Sequence, residues 1–260
     1  GVQTCALPIS YEISGSGPAV FLVHGIGARK NAWDGVKAQL EKDFTCIGYD
    51  LRGHGESPKG EPPYSLEALV ADLENLREKL AFDKIHIVGH SLGGMIGPAY
   101  AKAYPQYTLS VSLLSTAAFR SEDDSVKVKG VVSSMHEKGI EAVLSTLTNR
   151  WFTDTFIANN PDKVDFRLKQ VLETDPEVFL EVFRIYAETE MSSWLPAVKQ
   201  PCLVLTGEND GGCNPRLNRL IHSALPDSEL VILENYKHSL LMEAADEVGR
   251  CVFDFLQRHP

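Results

Sequence analysis

No stretch of this chain is apolar for the roughly 18 to 20 residues that a membrane-spanning helix needs, so neither a spanning segment nor a membrane partner is expected. Basic residues are scarce: 25 Lys and Arg stand against 35 Asp and Glu, a formal charge of -10. Nucleic-acid binding needs clustered cations over phosphate, and that balance argues against such a partner. Cysteine is sparse and scattered, at Cys5, Cys46, Cys202, Cys213 and Cys251, with no C-x-x-C pair. Neither a disulfide framework nor a zinc site is signalled. Cys46, Cys202 and Cys251 stand in apolar runs and are expected in the core. Cys213 follows two glycines in a polar loop and is expected to be an exposed thiol. Internal repeats and low-complexity tracts are also lacking.

What remains is an ordinary globular composition, 43% hydrophobic and 23% charged over 260 residues. That length suffices for one large core without disulfides or a structural metal. Short apolar runs alternate with amphipathic stretches, the pattern of a mostly parallel sheet flanked by helices, an α/β fold. Strands are expected at Ala19 to Val23, Phe44 to Tyr49, Lys84 to Val88, Leu109 to Ser115, Cys202 to Thr206 and Leu230 to Leu233. Helices are expected at Trp33 to Leu40, from Ser65 as N-cap to Leu80, at Leu92 to Tyr104, and at the C-terminus around Val248 to Leu256. Between about Ala118 and Trp194 no strand-like run occurs, only helical candidates at Glu141 to Leu147, Val164 to Leu172 and Glu177 to Glu188. The division expected is therefore a core from 10–117 and 195–260 with an inserted helical cap at 118–194. The opening nonapeptide, GVQTCALPI (1–9), resembles a translated sequencing-library adapter and is expected to be foreign to the fold.

Chemistry concentrates at Gly89-His90-Ser91-Leu92-Gly93, set between an expected strand and an expected helix. A G-x-S-x-G turn in that context is a nucleophile elbow: it strains the serine and lifts its Oγ over the carboxyl edge of the sheet. The helix that follows points its N-terminus, with free amides and partial positive charge, at the same place. A serine hydroxyl is a weak nucleophile and needs a base. His238 follows the last expected strand and a short loop, a position at that same edge. Asp210, in Gly207-Glu208-Asn209-Asp210-Gly211-Gly212 after the preceding strand, is the expected acid, with Glu208 second; the chain order Ser, Asp, His fits. The oxyanion hole is expected from the backbone amides of Leu92 and Ile26, the latter in His24-Gly25-Ile26-Gly27. His24 is read as bracing that loop, with a place in the substrate pocket as the alternative. Trp151, Phe152, Met191 and Trp194 are pocket candidates. Arg150, Arg167 and Arg184 are read as solvated cap residues in preference to carboxylate receptors.

These motifs, with Tyr49-Asp50-Leu51-Arg52-Gly53-His54-Gly55-Glu56-Ser57, resemble the α/β-hydrolase superfamily from about Tyr11 to the C-terminus. The segment Arg150-Trp151-Phe152-Thr153-Asp154-Thr155-Phe156 is similar to one in the 3-oxoadipate enol-lactonase-type and carboxylesterase branch. The chain departs from that branch at Gly212-Cys213-Asn214-Pro215 and at Tyr236-Lys237, both beside catalytic loops. The resemblance implies the α/β-hydrolase fold, a structural role for the Asp50 to Ser57 loop, and hydrolysis of a small-molecule ester or lactone. Enzyme alternatives that keep the serine are C–C bond hydrolases and perhydrolases; a ligand-sensing α/β-hydrolase with little turnover is the alternative of a different class. Hydrolysis by an activated serine requires no cofactor and no metal, and none is expected. A cytoplasmic location is expected, with a signal peptide lost at the N-terminus left open, as is the choice between monomer and homodimer.

Overall fold

The computed structural model describes residues 7–260. Most of the segment expected to be foreign, including Cys5, lies outside the described residues; of its last three residues, Ile9 is buried. Seven strands form one sheet: β1 (Tyr11–Gly15), β2 (Ala19–Val23), β3 (Thr45–Tyr49), β4 (Ile85–His90), β5 (Thr108–Leu114), β6 (Cys202–Gly207) and β7 (Ser228–Leu233). Their order is β1-β3-β2-β4-β5-β6-β7. All neighbours pair in parallel except β1, which runs antiparallel to β3 at the edge.

The central strands are apolar on both faces because both faces are covered. Along β2, Ala19, Phe21 and Val23 enter one cluster while Val20 and Leu22 enter the other. One face packs on α2 (Leu66–Lys79) and α3 (Gly93–Ala103), the other on α1 (Asp34–Leu40) and the C-terminal α11 (Ala245–Gln257). Trp33, Leu40, Val252 and Phe255 are buried in that second layer; each such side chain stabilises the fold by about 1.5–3 kcal/mol. Ser65 caps α2 by accepting from the Ala68 amide at 3.1 Å. A helix before β7, α9 (Pro215–Ala224), starts at Asn214, whose side chain accepts from the Leu217 amide, with Pro215 in the first turn where it lacks no needed donor.

Between β5 and β6 the chain is helical: α4 (Glu122–Lys138), α5 (Leu144–Trp151), α6 (Asp154–Asn159), α7 (Pro161–Glu173) and α8 (Pro176–Glu188). The sequence pattern missed α4, the longest of these, because only Met135 on it is buried and it carries no continuous apolar stripe. Its start is nonetheless marked, since Ser121 and Asp124 form a reciprocal capping box. No helix among the described residues is long and apolar enough to cross a membrane.

Candidate active site

The strand-to-helix turn after β4 carries the strain that its motif requires. Ser91 has φ of 57°, a left-handed conformation that costs a non-glycine residue about 1–3 kcal/mol. The flanking glycines are steric necessities. A Cβ on Gly89 would strike the Gly93 carbonyl, and one on Gly93 would strike the Val23 carbonyl of the neighbouring strand. Ser91 donates its amide to the Leu114 carbonyl at 2.8 Å, which pins the turn to β5. Its hydroxyl has no hydrogen-bond partner among the described residues and lines a cavity of about 690 Å³ between the sheet's carboxyl edge and the inserted helices.

His238 and Asp210 line the same cavity. His238 Nδ1 lies 2.7 Å from Asp210 Oδ2. The other carboxylate oxygen accepts from the Gly212 amide at 3.0 Å and the Cys213 amide at 2.8 Å. Burial works to raise the Asp210 pKa, but His238 and these two amides outweigh it and hold the carboxyl below its ordinary value. Burial works in turn to lower the His238 pKa, and the Asp210 carboxylate overrides it, so the ring is driven toward its protonated form. Glu208 is exposed and accepts instead from the Asn235 amide at 3.0 Å.

The loop after β2 is braced from its own carbonyls. Gly25 O accepts from His24 Nδ1 at 2.7 Å and from the Ala28 amide at 3.2 Å. Because a trans peptide sets C=O and N–H on opposite sides, this fixes the direction of the Ile26 amide. The amides of Ile26 and Leu92 have no acceptor among the described residues. His24 Nε2 accepts from the Leu51 amide at 3.0 Å, and His54 Nε2 from the Gly27 amide at 3.0 Å. Burial lowers the pKa of both rings to about 3, so both stay neutral and can accept. His90 behaves likewise: burial lowers it to about 3, and its Nε2–H donates to the His238 carbonyl at 2.9 Å.

Several expected positions are corrected. His24 is fully buried in its bracing role and does not line the cavity. Of the four aromatic and Met candidates only Trp151 does. Phe152 is buried, stacking on Phe156 at 5.4 Å; Met191 is buried in the core; Trp194 packs under the Lys102 ammonium. Cys213 is no exposed thiol. It is fully buried, with Sγ 3.0 Å from the Tyr186 hydroxyl, because its amide is drawn inward to Asp210. Arg184 is spent on Glu181 and Glu188, whereas Arg150 and Arg167 reach the cavity. Arg120, His90 and Cys213 were not singled out as site residues; chain-distant contacts leave no local pattern. The side-chain ligand atoms of Asp210, Cys213 and His238 lie within 4.8 Å of one another. Both carboxylate oxygens are already engaged, so the cluster is better described as a hydrogen-bonded pair beside a thiol than as a metal centre.

The inserted helices are tied to both loops. Arg167 of α7 donates to Gly27 O at 2.7 Å and Ile26 O at 2.8 Å, its guanidinium 4.9 Å from the Trp151 ring centroid. Arg29 returns the contact, donating to Thr174 Oγ1 and Gln170 O. On the other side the Ser239 amide donates to Trp151 O at 2.8 Å, and Lys237 Nζ to Asn149 O at 2.9 Å.

The family model for the alpha/beta hydrolase fold matches residues 18–245. The enol-lactonase of Burkholderia xenovorans superposes with a TM-score of 0.89 at 26% identity, covering 97% of this chain and 98% of that one. A thermophilic esterase of Thermogutta terrifontis gives 0.87 at 26%, covering 97% and 94%. In sequence, 3-oxoadipate enol-lactonase 2 of Acinetobacter baylyi is 25% identical over 84% of this chain and 80% of its own length. A protein of Mycobacterium tuberculosis is 42% identical over 106 residues, but there the match spans only 41% of this chain and 31% of that protein's length. With a serine elbow on a seven-stranded, mostly parallel sheet and a matching model over most of its length, the chain belongs to the α/β-hydrolase fold family.

Proposed function

We propose that this protein is a serine hydrolase that cleaves a carboxylic ester or lactone through an acyl-enzyme. The observation that carries the reading is the strained Ser91, opening onto one cavity with a His238 that is oriented by a buried Asp210. With Nδ1–H directed at Asp210, neutral His238 offers the Nε2 lone pair. It takes the Ser91 proton as Oγ bonds to the substrate carbonyl carbon, and the carbonyl oxygen becomes an oxyanion. The amides of Ile26 and Leu92 receive that charge. The tetrahedral centre collapses, the C–O bond to the alcohol breaks, and imidazolium returns its proton to the departing alkoxide. Water, deprotonated by His238, then attacks the acyl carbon, and Ser91 leaves with a proton. In a lactone the alcohol stays tethered to the acyl group, and the product is one hydroxy acid. The names of the enol-lactonase, esterase and lipase relatives support this reaction class.

The test is steady-state hydrolysis of p-nitrophenyl esters from acetate to octanoate beside a panel of lactones that includes an enol-lactone. Turnover is expected, and Ser91→Ala should lower kcat by about 10⁴- to 10⁶-fold. A variant with near-normal rate would remove the proposed nucleophile. Preference within the panel assigns lactonase or esterase.

A further inference from the structure

The backbone of Cys213 is fixed by bonds that do not need its side chain. Its amide donates to Asp210 Oδ1 at 2.8 Å. Its carbonyl accepts from the Thr206 hydroxyl at 2.7 Å and from Asn218 Nδ2 at 2.8 Å. Asn218 is fully buried, and its Nδ2 also donates to Thr116 O at 3.1 Å, which ties the acid loop to the chain just past β5. Any residue could hold the loop in this way, so the thiol is left for another role. Sγ lies 3.0 Å from the Tyr186 hydroxyl, and within 4.8 Å of a carboxylate oxygen of Asp210 and a ring nitrogen of His238.

Tyr186 stands on α8, one of the inserted helices, and is buried in the cavity wall. The guanidinium carbon of Arg120 lies 4.6 Å from its ring centroid, and Phe183 packs edge-on at 6.2 Å. A buried phenol needs a partner for its hydroxyl, and the Cys213 sulfur is the acceptor it has among the described residues. Burial holds the Tyr186 pKa well above its ordinary value, so the hydroxyl keeps its proton and donates. A phenol is also the stronger donor of the two, since a thiol donates weakly. Donation into the sulfur fixes where the sulfur stands, and a polarisable sulfur beside the imidazole favours the cationic ring. Burial works against that cation, while Asp210 first and Cys213 after it work for it.

We infer that Tyr186 and Cys213 are positioning residues for the base: the Tyr186 hydroxyl holds the Cys213 sulfur against the Asp210–His238 couple, which is aligned only while α8 is seated over the sheet. This rests on the reading of His238 as the base for Ser91. It gives the inserted helices a part in the proton transfer that requires no bond to the substrate.

The test is a double-mutant cycle of Tyr186→Phe and Cys213→Val, with Cys213→Ser as the conservative variant. Rates are read on 4-nitrophenyl acetate and normalised to active sites by fluorophosphonate titration. Each single variant should lower kcat about 3- to 10-fold with KM little changed, and should move the acid limb of kcat/KM downward. The double variant should be no slower than the slower single one, because the two residues act as a unit, and Cys213→Ser should keep most of the rate. Normalisation separates positioning from folding, since a misfolded fraction takes up no label. The other charged or titratable groups facing the ring are unchanged in every variant: His90 of the elbow, its ring centroid 5.0 Å from that of His238, and Arg120, Asp124, Lys127, Arg150, Lys163 and Arg167 of the inserted segment. A loss confined to KM, additive losses in the double variant, an unmoved acid limb, or a Cys213→Ser as slow as Cys213→Val would overturn the inference while leaving the hydrolase reading intact. The nuclear magnetic resonance signals of the His238 ring, assigned by their loss in His238→Gln, give a readout without turnover. A His238 titration that moves downward in Tyr186→Phe with no Ser91-dependent hydrolysis would keep the pair and defeat the hydrolase reading; one that does not move would defeat the pair.

Discussion

His24 acts on the same peptide unit that aims the Ile26 amide, so its effect on the reaction should be specific in kind. With His24→Ala the Gly25 carbonyl keeps only the Ala28 amide, and the Gly25–Ile26 peptide gains freedom to rotate. The expected outcome is a kcat about 10- to 100-fold lower with KM little changed, since in the proposed mechanism the Ile26 amide bonds the oxyanion only in the transition state. A rise in KM at constant kcat would show that His24 serves ground-state binding instead. Asp210 makes a second prediction at this scale. It raises the His238 pKa above the ordinary 6.5, and in the proposed mechanism His238 works as a base only when neutral. The acid limb of kcat/KM should therefore lie above pH 6.5 in the wild type. In Asp210→Asn it should move downward, with kcat reduced by about 10⁴-fold because the ring loses its oriented tautomer. An unshifted limb would mean that Asp210 does not tune His238.

Among the elements, the inserted helices are tied to both loops beside Ser91. The turn from α5 to α6 is held by Glu243 of α10 (Leu240–Glu243), which accepts from the Thr153 amide at 3.1 Å and from its hydroxyl at 2.6 Å. Glu243→Gln should cost about 1–2 kcal/mol in urea unfolding and change kcat and KM together, as expected when a covering element shifts. An effect on stability alone would make the tie merely structural. Elements were legible in the sequence where burial is two-sided or strongly one-sided. Thus β2 reads as an unbroken apolar run, β4 and β6 as runs interrupted or ended by single polar residues, His86 and Thr206, and α2 as a stripe with its cap. Edge strand β1 has only half-buried and exposed residues, so alternation had little to report there. That Ser91, His238 and Asp210 meet at one cavity was legible because each follows a strand end. Arg120 was not, because what places it at the cavity is packing on Tyr186, which is 66 positions away by the numbering of the two residues. The departures at Tyr236 and Lys237 likewise gained meaning only in three dimensions, through bonds to Glu247 and to the inserted helices.

For the whole molecule, burial of neutral histidines sets the acid limit. His24, His54 and His90 are lowered to about 3 and His86 to about 4, all from 6.5. Because these folded-state values lie below the unfolded one, the unfolded chain binds protons first as pH falls through 6.5. Their stabilisation is complete above that pH and declines below it, by about 2 kcal/mol for each ring at pH 5. His238, raised instead, works in the opposite sense: its contribution is full below 6.5 and declines as pH rises through its folded value. Four losses outweigh one gain, so the urea midpoint should be clearly lower at pH 5.0 than at pH 7.5. An equal midpoint would contradict the neutral, buried state of these rings.

The measurement that decides most is covalent labelling with an alkyl fluorophosphonate, followed by intact-mass and peptide mapping. A single adduct per chain on Ser91, abolished in Ser91→Ala and slowed in Asp210→Asn, is the predicted result. An adduct elsewhere, or full ester turnover without any adduct on Ser91, would contradict the proposed mechanism.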